Sequence, residues 1–300
     1  MPINDTGIVT VTEGPNQIMH TAQIIEKYIL TADIKKLVLS APDIAAAAKA
    51  GQFVIVVTND NSERIPLTIA SADAAAGTIS LIFQEIGFST SELGALKAGD
   101  YIQHLLGPLG TPTHIDNYGT VVCIGGGVGI AEVLPVAKAM KNADNRVIGI
   151  IGARSKGLVI LEKELQEACD ELFITTDDGS YGKKGFVTDI LKELLNVVEQ
   201  STHTKYPSFV YAVGPVPMMQ KVSELTRGYN IRTIVSLNPI MVDATGMCGS
   251  CRVTVAGKTR FGCVDGPEFD GHLVDFDELK KRLNAFKEKE ECVNKMCPMK

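Results

Sequence analysis

The chain lacks an excess of positive charge, a long apolar run and a leader-like start. Its 29 lysine and arginine residues are outnumbered by 35 aspartate and glutamate residues, which gives a formal net charge of −6. Binding to a nucleic-acid backbone requires clustered basic side chains, so this composition argues against a nucleic-acid partner. No stretch approaches the roughly eighteen apolar residues of a membrane-spanning helix. We therefore expect a cytoplasmic protein without a membrane span.

Cysteine is scarce over most of the chain and concentrated near its end. Of seven cysteines, only Cys123 and Cys169 precede residue 248. In a reducing compartment, closely spaced cysteines are more often metal ligands or redox groups than structural disulfides. The distribution therefore predicts a metal centre in the last fifth of the chain.

The 300 residues exceed one typical domain, and their patterning changes along the chain. Residues 18–113 carry short alternating runs broken by Gly, Asp and Pro, which predicts a small antiparallel β-barrel. In residues 114–235, buried strands alternate with helical stretches, which predicts a doubly wound parallel sheet of α/β type. Residues 236–283 are rich in Gly and Cys and too few for an ordinary core, so we expect a metal-dependent unit. An N-terminal extension (1–17), either strand or tail, and a C-terminal polar helix and tail (284–300) complete the division.

The most specific motif is Asp243-Ala-Thr-Gly-Met-Cys248-Gly-Ser-Cys251, followed after eleven intervening residues by Cys263. A cysteine pair separated by two residues directs both sulfurs to one site. The flanking glycines let backbone N–H groups turn toward the sulfides of a cluster. Zinc would also accept these donors, but ligand softness and spacing favour an iron–sulfur centre.

A two-iron cluster needs a fourth ligand besides these three cysteines. Asp243 is one candidate, because a carboxylate oxygen binds ferric iron. Cys292 or Cys297 from the tail is the rival. Alternatively, Asp243 is a solvated carboxylate in a turn.

The segment NPIMVDATGMCGSCRVTVAGKTRFGCVDGPEFDGHLVDFDEL resembles the small subunit of NADH-dependent reduced ferredoxin:NADP oxidoreductases, also called sulfide dehydrogenases. The resemblance extends over nearly the whole chain. The chain is also similar to the electron-transfer subunit of dihydroorotate dehydrogenase, but that relative has Cys where Asp243 stands, which favours the first family. The resemblance implies a 2Fe-2S cluster held by Asp243, Cys248, Cys251 and Cys263.

In the predicted barrel, Arg64-Ile-Pro66-Leu67-Thr68 resembles the flavin motif of the ferredoxin–NADP reductase superfamily. The resemblance implies that Arg64 binds the pyrophosphate of FAD and that Thr68, the predicted catalytic residue, faces the isoalloxazine. The residue types suit these roles, because a guanidinium offers a planar fork to phosphate and a hydroxyl can hydrogen-bond flavin N5 without adding charge. An edge strand carrying a proline and a surface arginine is the alternative.

A second turn, Gly87-Phe-Ser89-Thr90, precedes a predicted helix and resembles the other phosphate-binding turn of that superfamily. Backbone N–H groups at a helix N-terminus suit an anion, so we expect FAD phosphate oxygens here. An ordinary Ser/Thr N-cap is the alternative.

Gly125-Gly126-Gly127-Val-Gly129 follows a buried strand and opens a helix, which predicts a pyrophosphate-binding turn. It departs from the six-residue Rossmann fingerprint and lacks a ribose-binding acid at the usual distance, so it does not indicate a standard dehydrogenase. The resemblance implies that a nicotinamide dinucleotide binds here against the flavin.

Three further sites follow predicted strands and should lie at the same sheet edge. We expect Arg154 to contact a phosphate and Asp177 or Asp178 to contact a ribose or the carboxamide. Gly214 belongs to a turn that resembles the family's last strand-to-helix turn, although Val213 stands where many relatives have Cys. The resemblance favours NAD(H), with NADP(H) as the alternative.

Together these motifs predict hydride transfer between nicotinamide C4 and flavin N5, followed by single-electron steps through the cluster. The cofactors carry this chemistry, so no conventional acid–base residue is expected. The resemblance implies a larger partner, similar to the small subunit of glutamate synthase, with another FAD and 4Fe-4S clusters, and electron bifurcation involving ferredoxin. The alternatives are a dihydroorotate dehydrogenase electron-transfer subunit, a diaphorase-like hydrogenase subunit and, from another class, a zinc-stabilised flavin-binding regulatory protein.

Overall fold

The protein is described from a computed structural model, which covers residues 18–199 and 207–286. Side chains of residues 18–20 and 197–199 are outside this description. The N-terminal extension and the tail cysteines Cys292 and Cys297 also lie outside the described residues.

Six antiparallel strands close into a barrel in the order β1-β2-β5-β4-β3-β6. Valine, isoleucine and leucine dominate these strands, and such side chains fit a pleated, half-buried surface. Leu37 and Leu39 of the second strand are fully buried, as expected where alternate residues face one interior. The strands are β1 (Ile18–Ile29), β2 (Ile34–Ser40), β3 (Phe53–Val57), β4 (Ile65–Asp73), β5 (Thr78–Gln84) and β6 (Tyr101–Leu109).

Two short helices connect strands of the barrel. Helix α1 (Pro42–Ala47) follows β2, and helix α2 (Phe88–Ala95) follows β5. The second helix is the one predicted after the Gly87 turn.

Beyond the barrel the chain forms a sheet in the order β10-β9-β8-β7-β11-β12, parallel throughout. The strands are β7 (Thr120–Gly126), β8 (Arg146–Ala153), β9 (Glu171–Thr176), β10 (Lys183–Lys184), β11 (Phe209–Val213) and β12 (Arg232–Ser236). The crossover helices are α3 (Ile130–Asn142), α4 (Glu162–Ala168), α5 (Val187–Glu199) and α6 (Val216–Arg227).

Helices cover both faces of this sheet. Helices α3 and α4 pack on one face, in a core that the barrel residues Ile34, Ala70 and Ile82 also enter. Helices α5 and α6 pack on the other face. The doubly wound arrangement predicted from the continuous apolar runs is therefore confirmed.

The C-terminal segment packs on the barrel and also extends the sheet. Strands β13 (Arg252–Val255) and β14 (Lys258–Phe261) form a hairpin, and helix α7 (Phe276–Leu283) follows. Strand β15 (Glu268–Asp270) joins β12 antiparallel at the sheet edge. The predicted domain boundary near residue 235 therefore falls within one sheet, because β15 from the last segment is the edge strand of that sheet. The domain boundaries remain predictions.

Within residues 18–199 and 207–286, no helix is both long and apolar enough to cross a membrane.

Candidate cofactor-binding sites

The glycine-rich turn connects β7 to α3 at the carboxyl edge of the sheet. Gly125 and Gly126 end the strand, and Gly127 adopts φ +57°, a conformation that L side chains rarely take. A Cβ built on Gly129 would lie 2.8 Å from the carbonyl oxygen of Val213, so only glycine allows the turn to approach β11 this closely. A Cβ on Gly127 would meet no atom within 4 Å. The turn therefore combines an open face with a helix N-terminus, the environment that binds pyrophosphate.

Gly214 lies beside this turn, immediately after β11. A Cβ built on it would lie 3.0 Å from the carbonyl oxygen of Gly126 and 2.9 Å from Cε of Met218. Met219 is 1% exposed. Half-buried Met218 packs against the same core, and Gly214 lines the same edge as the glycine-rich turn.

The loops after β8 and β9 meet at that edge. The backbone N–H of Asp177 donates to Ala153 O at 3.1 Å, and that of Asp178 donates to Arg154 O at 3.2 Å. The Asp178 carboxylate accepts from the backbone N–H of Ser180 at 2.9 Å and from its hydroxyl at 2.6 Å, which lowers the pKa of Asp178. The Asp178 carboxylate is therefore engaged in its own turn, and the side chains of Arg154, Asp177 and Asp178 are all exposed.

The predicted flavin motif lies at the start of β4. Pro66, Leu67 and Thr68 pair with β3 and are half-buried, and exposed Arg64 precedes the strand. Arg64 Nη1 lies 3.5 Å from Oδ1 of Asp243. The structure therefore brings the predicted FAD arginine against the predicted fourth cluster ligand, a contact that the sequence did not reveal.

The second predicted phosphate turn shows the N-cap arrangement. Thr90 Oγ1 accepts the backbone N–H of Gly87 at 3.2 Å, and Ser89 Oγ donates to Glu63 Oε2 at 2.7 Å. The Glu63 carboxylate adds negative charge beside Ser89. The capping geometry is thus present, and phosphate binding by this turn remains a prediction.

The cluster segment gathers its donors in one loop. Cys251 and Cys263 are buried with their Sγ atoms 3.1 Å apart. Cys248 is exposed, and its sulfur lies 3.1 Å from Oγ of Ser250. Three thiols within one loop are a donor set typical of iron–sulfur sites.

The donor set fits a 2Fe-2S cluster in type, with three thiols and one carboxylate between residues 243 and 263. Among the described residues, no three His, Cys, Asp or Glu side chains already surround one metal position. The Asp243 carboxylate instead accepts from the hydroxyl of Thr245 and contacts Arg64. If Asp243 bound iron, its carboxylate would therefore give up its contacts with Thr245 and Arg64.

A buried polar network lies between the barrel and the sheet. Thr68 Oγ1 donates to Glu132 Oε2 at 3.0 Å, and Tyr211 OH donates to Glu132 Oε1 at 3.1 Å. On the β15 side of Tyr211, Glu268 accepts a hydrogen bond from the hydroxyl of Thr113. Burial raises the pKa of Glu132 and raises that of Glu268 to about 7.

The sequence analysis missed Glu132, Tyr211 and Glu268. The one available signal was the single charged residue in the apolar run IAEVLPVA. Tyr211 sits in the fully buried strand FVYAV, where nothing in the pattern distinguishes it from a packing residue.

Two family models match the chain. Residues 123–224 match the oxidoreductase NAD-binding domain, and residues 238–275 match the iron–sulfur cluster binding domain of dihydroorotate dehydrogenase B. The first range contains the glycine-rich turn and the second contains all four predicted cluster ligands.

Similar proteins match over most of the chain. A Thermotoga maritima protein described as a dihydroorotate dehydrogenase B (NAD(+)), electron transfer subunit homolog is 44% identical over 89% of this chain and 92% of its own. The chain belongs to the family of dihydroorotate dehydrogenase B electron transfer subunits and their homologues. A probable subunit of this kind from Pyrococcus furiosus is 35% identical over 77% of this chain and 83% of its own.

Solved structures place this family member in a wider fold group. The structure of an NADH-dependent reduced ferredoxin-NADP oxidoreductase, studied for flavin-based electron bifurcation, matches with 42% identity and a TM-score of 0.84, covering 90% of this chain and 95% of the other. A ferredoxin reductase of carbazole 1,9a-dioxygenase matches in fold at 18% identity and a TM-score of 0.61.

These matches confirm the predicted fold and family resemblance, and they identify the chain as an electron-transfer subunit of an oxidoreductase. FAD, a 2Fe-2S cluster and NAD(H) are its cofactors at the level of the family and its domains. As an electron-transfer subunit it works with a partner subunit.

Proposed function

We propose that the chain passes electrons between NAD(H) and a larger partner through FAD on the barrel and a 2Fe-2S cluster in the C-terminal segment. The observation that carries this proposal is the meeting of the three predicted sites. Thr68 of the flavin motif contacts helix α3, which the glycine-rich turn opens, and Arg64 of the same motif contacts Asp243 of the cluster segment.

The residues have distinct roles in this proposal. Gly125, Gly126, Gly127 and Gly129 hold the dinucleotide pyrophosphate, and Gly214 keeps the neighbouring turn close to it. FAD, when bound, supplies the conversion of a hydride into two single electrons. Thr68 orients the flavin through its hydroxyl. The remaining dinucleotide and FAD contacts come from Arg154, Asp177, Asp178, Arg64, Pro66, Leu67, Gly87, Ser89 and Thr90.

Within the family, we propose assembly into a bifurcating NADH-dependent reduced ferredoxin:NADP oxidoreductase. The high TM-score and the coverage of nearly all of both chains support this choice. The partner would be a larger subunit with FAD and 4Fe-4S clusters, through which ferredoxin exchanges electrons. Dihydroorotate dehydrogenase is the second candidate, because the Thermotoga and Pyrococcus relatives carry that description.

The test begins with the full-length chain, purified anaerobically and analysed for flavin, iron, sulfide and zinc. NADH should bleach the flavin absorbance and then reduce the cluster, as followed by electron paramagnetic resonance, faster than NADPH does. Zinc without sulfide would overturn the proposal in favour of the regulatory alternative. Capture of a dihydroorotate dehydrogenase catalytic subunit by the tagged chain in its own host would select the second candidate.

The fourth cluster ligand is tested with Asp243→Cys. Replacing a carboxylate by a thiolate should retain a two-iron cluster but change its electron paramagnetic resonance signal, because thiolate is the softer donor. The double variant Cys292→Ser, Cys297→Ser is the control and should leave iron content and signal unchanged. Loss of iron in the double variant, with an unchanged signal in Asp243→Cys, would assign the fourth ligand to the tail.

A further inference from the structure

A buried carboxylate lies directly behind the predicted flavin residue. Oε2 of Glu132 accepts a hydrogen bond from Thr68 Oγ1 at 3.0 Å, and Oε1 accepts one from Tyr211 OH at 3.1 Å. We propose that Glu132 is a positioning residue, which takes the only proton of the Thr68 hydroxyl and thereby makes Thr68 an acceptor for the reduced flavin. This inference rests on the proposed function, because it requires that the flavin bind against Thr68.

Glu132 occupies a core position that packing alone would give to an apolar side chain. It is 9% exposed, and its neighbours in the first turn of α3 are the buried residues Ile130, Ala131 and Val133. Burying a carboxylate costs free energy unless hydrogen-bond donors face it. Of its two donors, Tyr211 is fully buried, whereas Thr68 is half-buried. The carboxylate therefore acts on a ligand through Thr68.

The surroundings of Glu132 favour its ionised form. Burial raises the pKa of Glu132, and the hydrogen bonds from Thr68 and Tyr211 oppose that rise. Glu132 also lies in the first turn of α3, where the helix dipole stabilises a negative charge. An ionised carboxylate has no proton to give, so the Thr68 hydroxyl must be the donor in their hydrogen bond.

The direction of this hydrogen bond decides which redox state of the flavin Thr68 can bind. A hydroxyl has one proton, so Thr68 keeps only acceptor capacity after donating to Glu132. Flavin N5 is an acceptor when the flavin is oxidised and carries an N–H donor when it is reduced. Thr68 can therefore hydrogen-bond N5 of the reduced flavin but not N5 of the oxidised flavin. Glu132 should thus raise the two-electron midpoint potential of the flavin, which favours hydride acceptance from NADH.

The variant Glu132→Gln tests the proposal by reversing the hydrogen bond. Because the buried Tyr211 proton needs an acceptor, the glutamine carbonyl should face Tyr211 and the amide N–H should face Thr68. The Thr68 hydroxyl is then free to donate to oxidised N5, and the preference for reduced flavin is lost. The midpoint potential is measured by anaerobic spectroelectrochemical titration of the flavin-loaded, full-length protein.

A double-mutant cycle separates this effect from the loss of a negative charge near the flavin. Removing a negative charge makes electron uptake easier, so by itself it would raise the midpoint potential. Thr68→Val removes the hydroxyl and keeps the shape of the side chain, so only the charge effect of Glu132→Gln remains in that background. With Thr68 present, the shift caused by Glu132→Gln should be ~30 mV more negative than in the Thr68→Val background. This difference corresponds to a loss of about tenfold in affinity for reduced relative to oxidised flavin.

Tyr211→Phe provides a second variant that reports on the same carboxylate. It removes one of the two donors that stabilise the Glu132 anion, so it should lower the midpoint potential by a smaller amount, again only with Thr68 present. The matched control is Tyr28→Phe, because Tyr28 OH donates to Glu26 at 2.6 Å on the barrel surface. The midpoint potential of this control should equal that of wild type.

The variants are compared at equal FAD content and with circular dichroism spectra that match wild type. Equal shifts for Glu132→Gln with and without the Thr68 hydroxyl, or a less negative shift with it, would overturn the positioning role. If Glu132→Gln does not fold, the same comparison with Tyr211→Phe decides. Failure of the wild-type chain to bind FAD, or of NADH to reduce that FAD, would instead overturn the proposed function.

Discussion

Glu268 shows how one residue couples burial to protonation. Burial, followed by the neighbouring Glu132 charge, raises the pKa of Glu268 from 4.5 to about 7. The folded protein thus keeps a proton that the unfolded chain loses, so the stabilisation is complete below pH 4.5 and is lost as pH rises through 7. Charge on a partly exposed carboxyl is screened, which limits the effect to about 1–3 kcal/mol.

The variant Glu268→Gln tests this residue. Because glutamine does not titrate, the free energy of unfolding of the variant should rise relative to wild type between pH 4.5 and 7 and then level off. Urea unfolding at several pH values measures the difference. Glu224→Gln is the control, because a surface lysine lowers the pKa of Glu224 and the pair should titrate below this window. Parallel pH profiles for wild type and Glu268→Gln would contradict the expected shift.

At the residue scale, the sequence predicted candidate site residues but not the side chains that they contact. Arg64, Thr68 and Asp243 were recognisable from local motifs. Their contacts, Arg64 with Asp243 and Thr68 with Glu132, join residues 179 and 64 positions apart. No local pattern encodes such distances, so these contacts became visible only in the structure.

At the scale of elements, the turn between β7 and α3 depends on close approach to β11. A Cβ at Gly129 would lie within 3.0 Å of three backbone atoms of Val213 and Gly214, which cannot rotate away as a side chain would. The variant Gly129→Ala should therefore lower the free energy of unfolding by about 1–3 kcal/mol and weaken dinucleotide binding.

The matched control is Gly157→Ala, since a Cβ at Gly157 would meet no atom within 4 Å. Urea unfolding and titration with NAD(H) measure both variants. Equal free energies of unfolding for Gly129→Ala and Gly157→Ala would show that the turn can accommodate a Cβ without loss of stability.

Elements with strong periodicity followed the sequence closely. The run IAEVLPVAKAMKN, one of the helical stretches in residues 114–235, forms α3 over its whole length. In contrast, the stretch LVILEKELQEAC is helical only over α4, because Leu158 belongs to a short 3₁₀ turn and Leu161 adopts a left-handed conformation. Strand β15 was not predicted, since three residues without a distinctive pattern become a strand only when a sheet edge is available.

At the scale of the whole molecule, the cluster segment depends on the barrel for its packing. Leu109 of β6 and Phe53 of β3 share an apolar cluster with Met241, Cys251 and Cys263. A cavity at Leu109 should therefore loosen the ligand loop as well as destabilise the fold.

The variant Leu109→Ala tests this dependence. It should cost about 2–5 kcal/mol of stability and reduce iron and sulfide per chain. Leu81→Ala, inside the barrel core and away from this cluster, should cost a similar amount yet keep its iron. The comparison is made by iron and sulfide analysis under conditions where circular dichroism shows both variants folded. Equal iron retention would show that the loop holds the cluster independently of the barrel.

The sequence by itself determined the barrel, the doubly wound sheet and the cysteine-rich segment, because hydrophobic periodicity, turn residues and ligand spacing are local properties. It also indicated the family, because the cluster motif is contiguous. The tertiary structure decided how these parts meet. The contact of Arg64 with Asp243, the addition of β15 to the sheet, and the hydrogen bonds of Glu132 with Thr68 and Tyr211 all join distant segments. For Glu132 and Tyr211 the physical reason is burial, because each buried polar group requires a partner that only the folded chain supplies.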